Sequence, residues 1–121
     1  MSYETALLAV LRAACPRVHV VTAPFGTAMP YVIWQRAGGR SMRNLDKTPT
    51  GGLRNGTVSI TTWAPTVKQA EVLIRQIEDA LTAATAIQCT PLGEPLDMFD
   101  DGGSDAGIFG MQQQFSIWAP R

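Results

Sequence analysis

Residues 55–81, NGTVSITTWAPTVKQAEVLIRQIEDAL, change the period of their hydrophobic pattern midway along the segment. Within residues 57–63, apolar and hydroxyl side chains alternate, which predicts a half-buried strand that ends at Pro65. Thr66 followed three residues later by Gln69 is a capping-box pattern. Apolar residues then recur at helical spacing, at Val67, Ala70, Leu73, Ile74, Ile77, Ala80, Leu81 and Ala84. The segment therefore predicts a strand that leads directly into a long amphipathic helix.

Shorter elements lie on both sides of this segment. We expect a first helix that ends at Pro16, strands at 18–22 and 30–38, and further strands at 87–90 and 111–118. Short connections between strands favour antiparallel pairing. The predicted fold class is α+β, a largely antiparallel (possibly mixed) sheet with two helices packed on one face, in the order α-β-β-β-α-β-β. This layout leaves the other face of the sheet without a predicted cover.

Length and charge limit the classes of function. The chain has 121 residues with 10 basic and 10 acidic side chains, so its formal net charge is zero. A neutral chain has no overall electrostatic preference for nucleic acid or for a membrane surface. Because 45% of the residues are hydrophobic, the chain can supply one core, and we expect a single domain over residues 1–121.

The residue types that support catalysis or metal binding are scarce. Cys15 and Cys89 form no CxxC motif, and His19 is the single histidine. The segment TPTGGLRNG at 48–56 has no phosphate-binding lysine in place. We therefore predict two reduced core thiols, a core or edge histidine, no enzymatic activity, no cofactor and no metal.

The N-terminal sequence MSYETALLAV shows no basic leader and no small-residue cleavage site. No stretch of the chain reaches the roughly 18 apolar residues of a membrane-spanning helix. We expect a protein that is made in a cytoplasm and does not enter a membrane.

Two segments of opposite charge interrupt the apolar pattern. A predicted basic loop at about 38–56 contains or adjoins Arg36, Arg40, Arg43, Lys47 and Arg54. A predicted acidic loop at about 94–107 contains Glu94, Asp97, Asp100, Asp101 and Asp105. Long loops in compact domains are often functional, although charged loops of this kind also occur simply as solvated surface.

The acidic segment has one alternative interpretation, a calcium site. The sequence DDGGSD at 100–105 contains closely spaced carboxylates. Its spacing does not fit an EF-hand loop, which needs ligands at alternate positions and a glutamate at position twelve. We therefore favour a solvated or partner-facing acidic loop.

Segregated charges allow two copies of the chain to meet. The basic loop of one copy can face the acidic loop of the next, and a head-to-tail contact of this kind can close a ring. Exposed ion pairs contribute only about 0–1 kcal/mol each. We therefore expect apolar support for the contact from Trp34, Trp63 or Trp118.

Three pieces of the chain resemble one known family. The strand PYVIWQR, the strand and helix VSITTWAPTVKQAEVLIRQIEDAL, and the closing strand QQQFSIWA, after an N-terminal helix, are similar to the tail-terminator or tail-completion proteins of long-tailed bacteriophages and related prophages. The resemblance implies a structural virion protein in the neck region of the tail, assembled in the cytoplasm of the host. It implies a hexameric ring at the head-proximal end of the tail tube, which stops tube polymerisation and joins the tail to the head connector.

The family provides no catalytic residues, so the candidate sites are interface hypotheses. The expected partners are other copies of the chain, the tail tube protein and the head-tail connector, with DNA only as cargo in the lumen. The basic group Arg40, Arg43, Lys47 and Arg54 is assigned to the tail tube or a neighbouring copy, and the acidic group Asp97, Asp100, Asp101 and Asp105 to the opposite contact.

Two other functions remain open from the sequence. Another phage neck component, such as a head-completion (stopper) protein, would share the assembly but not the tube-facing surface. A small ligand-binding α+β domain would instead need a pocket between helix and sheet.

Overall fold

The computed structural model describes residues 3–20, 29–38, 53–85, 87–100 and 108–120. Within these ranges the chain forms two helices and six strands, which confirms the α+β class. Their bounds are α1 Tyr3–Ala14, β1 Val18–Val20, β2 Tyr31–Arg36, β3 Leu53–Ala64, α2 Val67–Ala83, β4 Gln88–Pro91, β5 Leu96–Asp100 and β6 Ile108–Pro120.

The six strands form one mixed sheet around a long central pair. Strands β3 and β6 are antiparallel in a register that runs from Leu53↔Pro120 to Ala64↔Phe109. Strand β2 adds antiparallel to β3, and β1 adds parallel to β2. Both β4 and β5 pair antiparallel with β6, along different parts of its length. Because β3 occupies one edge of β6, β4 and β5 share the other edge.

The core lies between the sheet and the two helices. Alternate residues of the strands face the helices and are inaccessible to solvent, as the strand periodicity predicts. They include Val32 of β2, Val58 and Ile60 of β3, and Phe115 and Ile117 of β6, each 0% exposed. The helices contribute Leu7, Leu11, Ile74, Ile77 and Leu81, also 0% exposed. Each such side chain stabilises the fold by about 1.5–3 kcal/mol relative to its exposed state, and together they fill the space between helix and sheet.

Helix α2 begins where the sequence predicts. The Thr66 side chain accepts a hydrogen bond from the Gln69 backbone N–H at 3.2 Å, as an N-cap does. The helix contacts the sheet from Ala70 onward, since the Ala70 carbonyl accepts a hydrogen bond from the Thr62 hydroxyl at 2.9 Å. Val67 is 46% exposed, so the prediction that it belongs to the buried stripe is wrong. It is the first helical residue and precedes the point where the helix meets the sheet.

Replacing Thr66 by alanine is expected to lower the free energy of unfolding by about 1 kcal/mol, because the Gln69 N–H loses its capping acceptor. Urea denaturation of the purified protein measures the change. Thr85→Ala is the control, since Thr85 is exposed and follows the helix. Equal losses in the two variants would contradict the capping role.

The structure has one strand that the sequence did not predict, and another strand that begins earlier than predicted. Strand β5 lies inside the predicted acidic loop at 94–107, and β3 begins at Leu53, inside the predicted basic loop at 38–56. Aspartate is disfavoured in strands, so local propensity gives no indication of β5. The strand forms because β6 offers it a complete row of partners, from Leu96↔Gln112 to Asp100↔Ile108.

Candidate assembly interface

The charged residues proposed from the sequence fall into three groups in the structure. Asp97 is exposed on β5. Arg54 lies in β3, and Asp100 is the last residue of β5. The others, Arg40, Arg43, Lys47, Asp101 and Asp105, lie outside the described residues. The assignment of the basic and acidic groups to opposite contacts stays a prediction.

The three tryptophans occupy different environments. Trp34 is 3% exposed in the core, and the Arg36 guanidinium carbon lies 5.2 Å from its ring centroid. Its burial gives no support to a role in contact with another molecule. Trp63 and Trp118 are half-buried on the sheet face away from the helices, in register with Tyr31 and Asn55 respectively. Their role in assembly stays a prediction.

The free edge formed by β5 and the connection before it exposes large apolar side chains. Leu92, Leu96 and Phe99 are 54%, 59% and 61% exposed. Glu94 and Asp97 lie between them in the sequence and are also exposed. We call these five residues the edge patch. Among the described strands, β5 pairs with β6 alone, so its other edge presents backbone groups that another strand or side chain can bind.

A buried glutamine holds the connection between β4 and β5 against α2. The Gln113 side chain is on the helix side of β6 and is 2% exposed. Its amide nitrogen donates to Glu78 Oε1 at 3.0 Å and to the Gly93 carbonyl at 2.8 Å. Arg75 of α2 also lies 3.4 Å from Glu94 Oε1. These contacts connect the start of the edge patch to α2.

A small cleft opens where β4 and β5 meet. Strand β4 pairs with β6 only as far as Phe115, and β5 only as far as Gln112. The two intervening β6 residues are bridged by a backbone hydrogen bond from Leu92 N–H to the Gln114 carbonyl at 2.8 Å. The resulting cleft of about 300 Å³ is lined by Leu92, Gly93, Glu94, Leu96, Gln112, Gln113 and Gln114.

A second surface feature lies between the helices. An open groove of about 470 Å³ lies between the C-terminal end of α1, Pro30 and the first half of α2. It is lined by Ala14, Pro30, Thr66, Lys68, Gln69, Val72, Leu73 and Gln76, and we call it the helix groove. Val72 is 48% exposed, and Lys68 is the single charged residue in the lining.

The centre of the sheet face away from the helices is uncharged and mainly polar. Ser59 is in register with Gln35 and Gln114, and Thr61 with Ile33 and Gln112. Ser59 and Thr61 are each only 8% exposed. Their neighbours Gln35 and Gln114 are exposed, so glutamine side chains provide the accessible surface at the centre of this face.

The groups able to perform chemistry are dispersed in the described part of the chain. Cys15 and Cys89 are free and buried, as predicted. Burial raises the pKa of the Cys89 thiol to about 12, so at neutral pH it is a thiol rather than a reactive thiolate. The described residues contain no cluster of three or more His, Cys, Asp or Glu side chains suited to a metal ion.

Neither described helix is long and apolar enough to cross a bilayer.

A family model described as "Tail completion protein gp17" matches residues 3–119. The chain belongs to the tail completion protein gp17 family. The resemblance found in the sequence is therefore confirmed, and the protein is a member of a family of structural phage tail proteins. No curated protein matches the chain significantly.

The tail completion match includes both surface features described above. It extends from the first residue of α1 to near the end of β6, so the edge patch and the helix groove both belong to the family region. Asp97 of the edge patch was proposed from the sequence, whereas Leu92, Leu96 and Phe99 were not. The sequence does contain an indication of these exposed apolar residues. In the segment PLGEPLDMFD at 91–100, large apolar residues recur among acids and prolines.

Proposed function

We propose that this tail completion protein forms a hexameric ring at the head-proximal end of the phage tail tube. There it stops tube polymerisation and joins the tail to the head connector, with DNA as cargo in the lumen. This proposal rests on the family match over residues 3–119. The protein acts as a structural component of the virion neck, without catalysis, and assembles in the host cytoplasm.

The surface of the chain is compatible with a ring. A cyclic assembly with more than two copies needs two different surfaces that bind each other, because each copy contacts one neighbour on each side. The edge patch and the helix groove both expose apolar side chains and are candidates for these two surfaces. A zero net charge also removes a general repulsion between copies.

The basic group identified from the sequence is assigned to the tail tube or to a neighbouring copy. Arg40, Arg43, Lys47 and Arg54 lie in one stretch of 15 residues with Asp46 as the single acid. A dense positive segment steers association with an acidic surface and fixes its orientation. It is not assigned to the DNA in the lumen, since a basic ring would retain the phosphates that have to pass.

Native mass spectrometry of the purified protein with tail tubes tests the function. A hexamer, present alone or formed when tubes are added, is the expected result. The tubes should also stop growing at the end that carries the protein. A monomer that ignores tubes at all concentrations and at low salt would contradict the proposal.

The double variant Arg43→Glu with Arg54→Glu is expected to prevent ring formation or tube binding and to leave the fold intact. Phage assembled with this variant should then have tails of uncontrolled length in electron micrographs. Arg12→Glu is the control, because Arg12 is an exposed cation on α1 outside the basic group. Normal tails with the double variant would show that the basic group has another role.

A further inference from the structure

The edge patch has the properties of an assembly surface. An edge strand with unpaired backbone groups and exposed apolar side chains is a site where another molecule can associate. Here Leu92, Leu96 and Phe99 are each more than half exposed. The register with β6 places Asp97 and Phe99 on the helix side of the sheet and Leu96 on the opposite side. Phe99 is already positioned by its neighbour Phe109, with ring centroids 5.2 Å apart. The patch therefore presents a preorganised aromatic side chain at an edge that is free among the described strands.

The helix groove offers apolar surface and a charge opposite to that of the patch. Its volume of about 470 Å³ is within the range of sites that bury large apolar groups. Its lining is mainly apolar, and Lys68 is its one charged residue. The patch instead carries the exposed acids Glu94 and Asp97. An apolar edge that carries an acid and an apolar groove that carries a cation can bind each other.

The two surfaces lie on different sides of α2, so one copy can use both at once. Gln76 of α2 lines the groove on the side of α1. Arg75, the preceding residue, contacts Glu94 of the edge patch on the side of the sheet edge. A contact between the patch of one copy and the groove of another therefore leaves a free patch and a free groove at the two ends of the pair. Such a contact repeats from copy to copy.

We propose that the edge patch of one copy docks into the helix groove of a second copy, with Phe99 against Val72 and Asp97 facing Lys68. This inference rests on the proposed ring and identifies its head-to-tail contact. Asp97 then faces a neighbouring copy, which leaves the basic group for the tail tube. Phe99 and the groove exclude water around the contact, while the charge pair sets the orientation.

Substitutions on the two surfaces test this contact by native mass spectrometry over a range of concentrations, with and without tail tubes. Phe99→Asp is expected to raise the concentration for half-assembly at least tenfold, because it places a charge in an apolar groove. Asp97→Lys and Lys68→Asp should each weaken assembly several-fold at low salt. The double variant with both changes should restore assembly to within about twofold, because the pair is re-formed with its charges exchanged.

Val20→Asp is the control, since Val20 is 46% exposed on β1, at the opposite edge of the sheet. Circular dichroism confirms that each variant is folded. Rings of normal stability in Phe99→Asp, a failure of the charge exchange to restore assembly, or an equal loss in Val20→Asp would each overturn the docking contact and leave the proposed function standing. The absence of rings in the unmodified protein, even with tubes, would instead overturn the proposed function and this inference with it.

Discussion

Replacing Phe115 by alanine is expected to lower the free energy of unfolding by about 3–5 kcal/mol. Phe115 is 0% exposed and lies in β6 between Val58 of β3 and Pro91 of β4. Its removal takes a large apolar group from the core and leaves a cavity, because strands on both sides prevent the sheet from closing over the space. Domains of this size have a total stability of about 5–15 kcal/mol, so the variant should be near the limit of folding.

The matched control is Phe99→Ala, which makes the same chemical change at a residue that is 61% exposed. It removes the contact with Phe109 and little else, so the expected loss is about 1 kcal/mol or less. Urea denaturation of both variants, followed by circular dichroism, gives the two values. Similar losses would show that Phe115 is not central to the core. In assembly the order should reverse, since Phe99 lies in the proposed contact between copies.

Replacing Gly110 by alanine is expected to lower the free energy of unfolding by about 1–3 kcal/mol. A Cβ at this position would lie 2.9 Å from the Thr62 carbonyl oxygen and 2.9 Å from Cε3 of Trp63. The carbonyl belongs to the paired strand β3 and cannot move without disturbing the β3–β6 register. The indole ring would have to move as well, because it packs directly on the glycine.

Gly93→Ala is the control for this prediction. A Cβ built at Gly93 has no atom within 4 Å, so the same change there should alter stability by no more than about 0.5 kcal/mol. Thermal unfolding compares the two variants, and tryptophan fluorescence reports the displacement of Trp63 in Gly110→Ala. An unchanged melting temperature with an unchanged spectrum would show that β6 tolerates a side chain at this position.

The strongest local patterns predicted the elements best. Thr66 and Gln69 located the start of α2, and the helical spacing of Leu73, Ile74 and Ile77 identified the buried face. These signals succeed because capping and amphipathic periodicity depend on residues within one or two turns of each other. The alternation in β3 and β6 was readable for the same reason, since the pleat places successive side chains on opposite faces.

The candidate interface was only partly readable from the sequence. Asp97 was proposed from its charge, which is readable in the sequence, and its role at an interface stays a prediction. Leu96 and Phe99 were missed because exposure depends on which strand lies beside β5, and the sequence does not record that neighbour. Trp34 illustrates the opposite case, since a large aromatic residue that suggested an interface is 3% exposed in the core.

The sequence alone established the α+β class, the cap and buried face of α2, the unpaired core cysteines and the resemblance to phage tail completion proteins. All of these follow from patterns among residues that are close in the chain, or from the pattern of the chain as a whole. Tertiary structure was needed for the pairing of β5 with β6, for the exposure of Leu96 and Phe99, and for the groove that contains Lys68. These features arise where segments distant in sequence meet, and the free energy of such contacts is set by the partner segment rather than by local propensity.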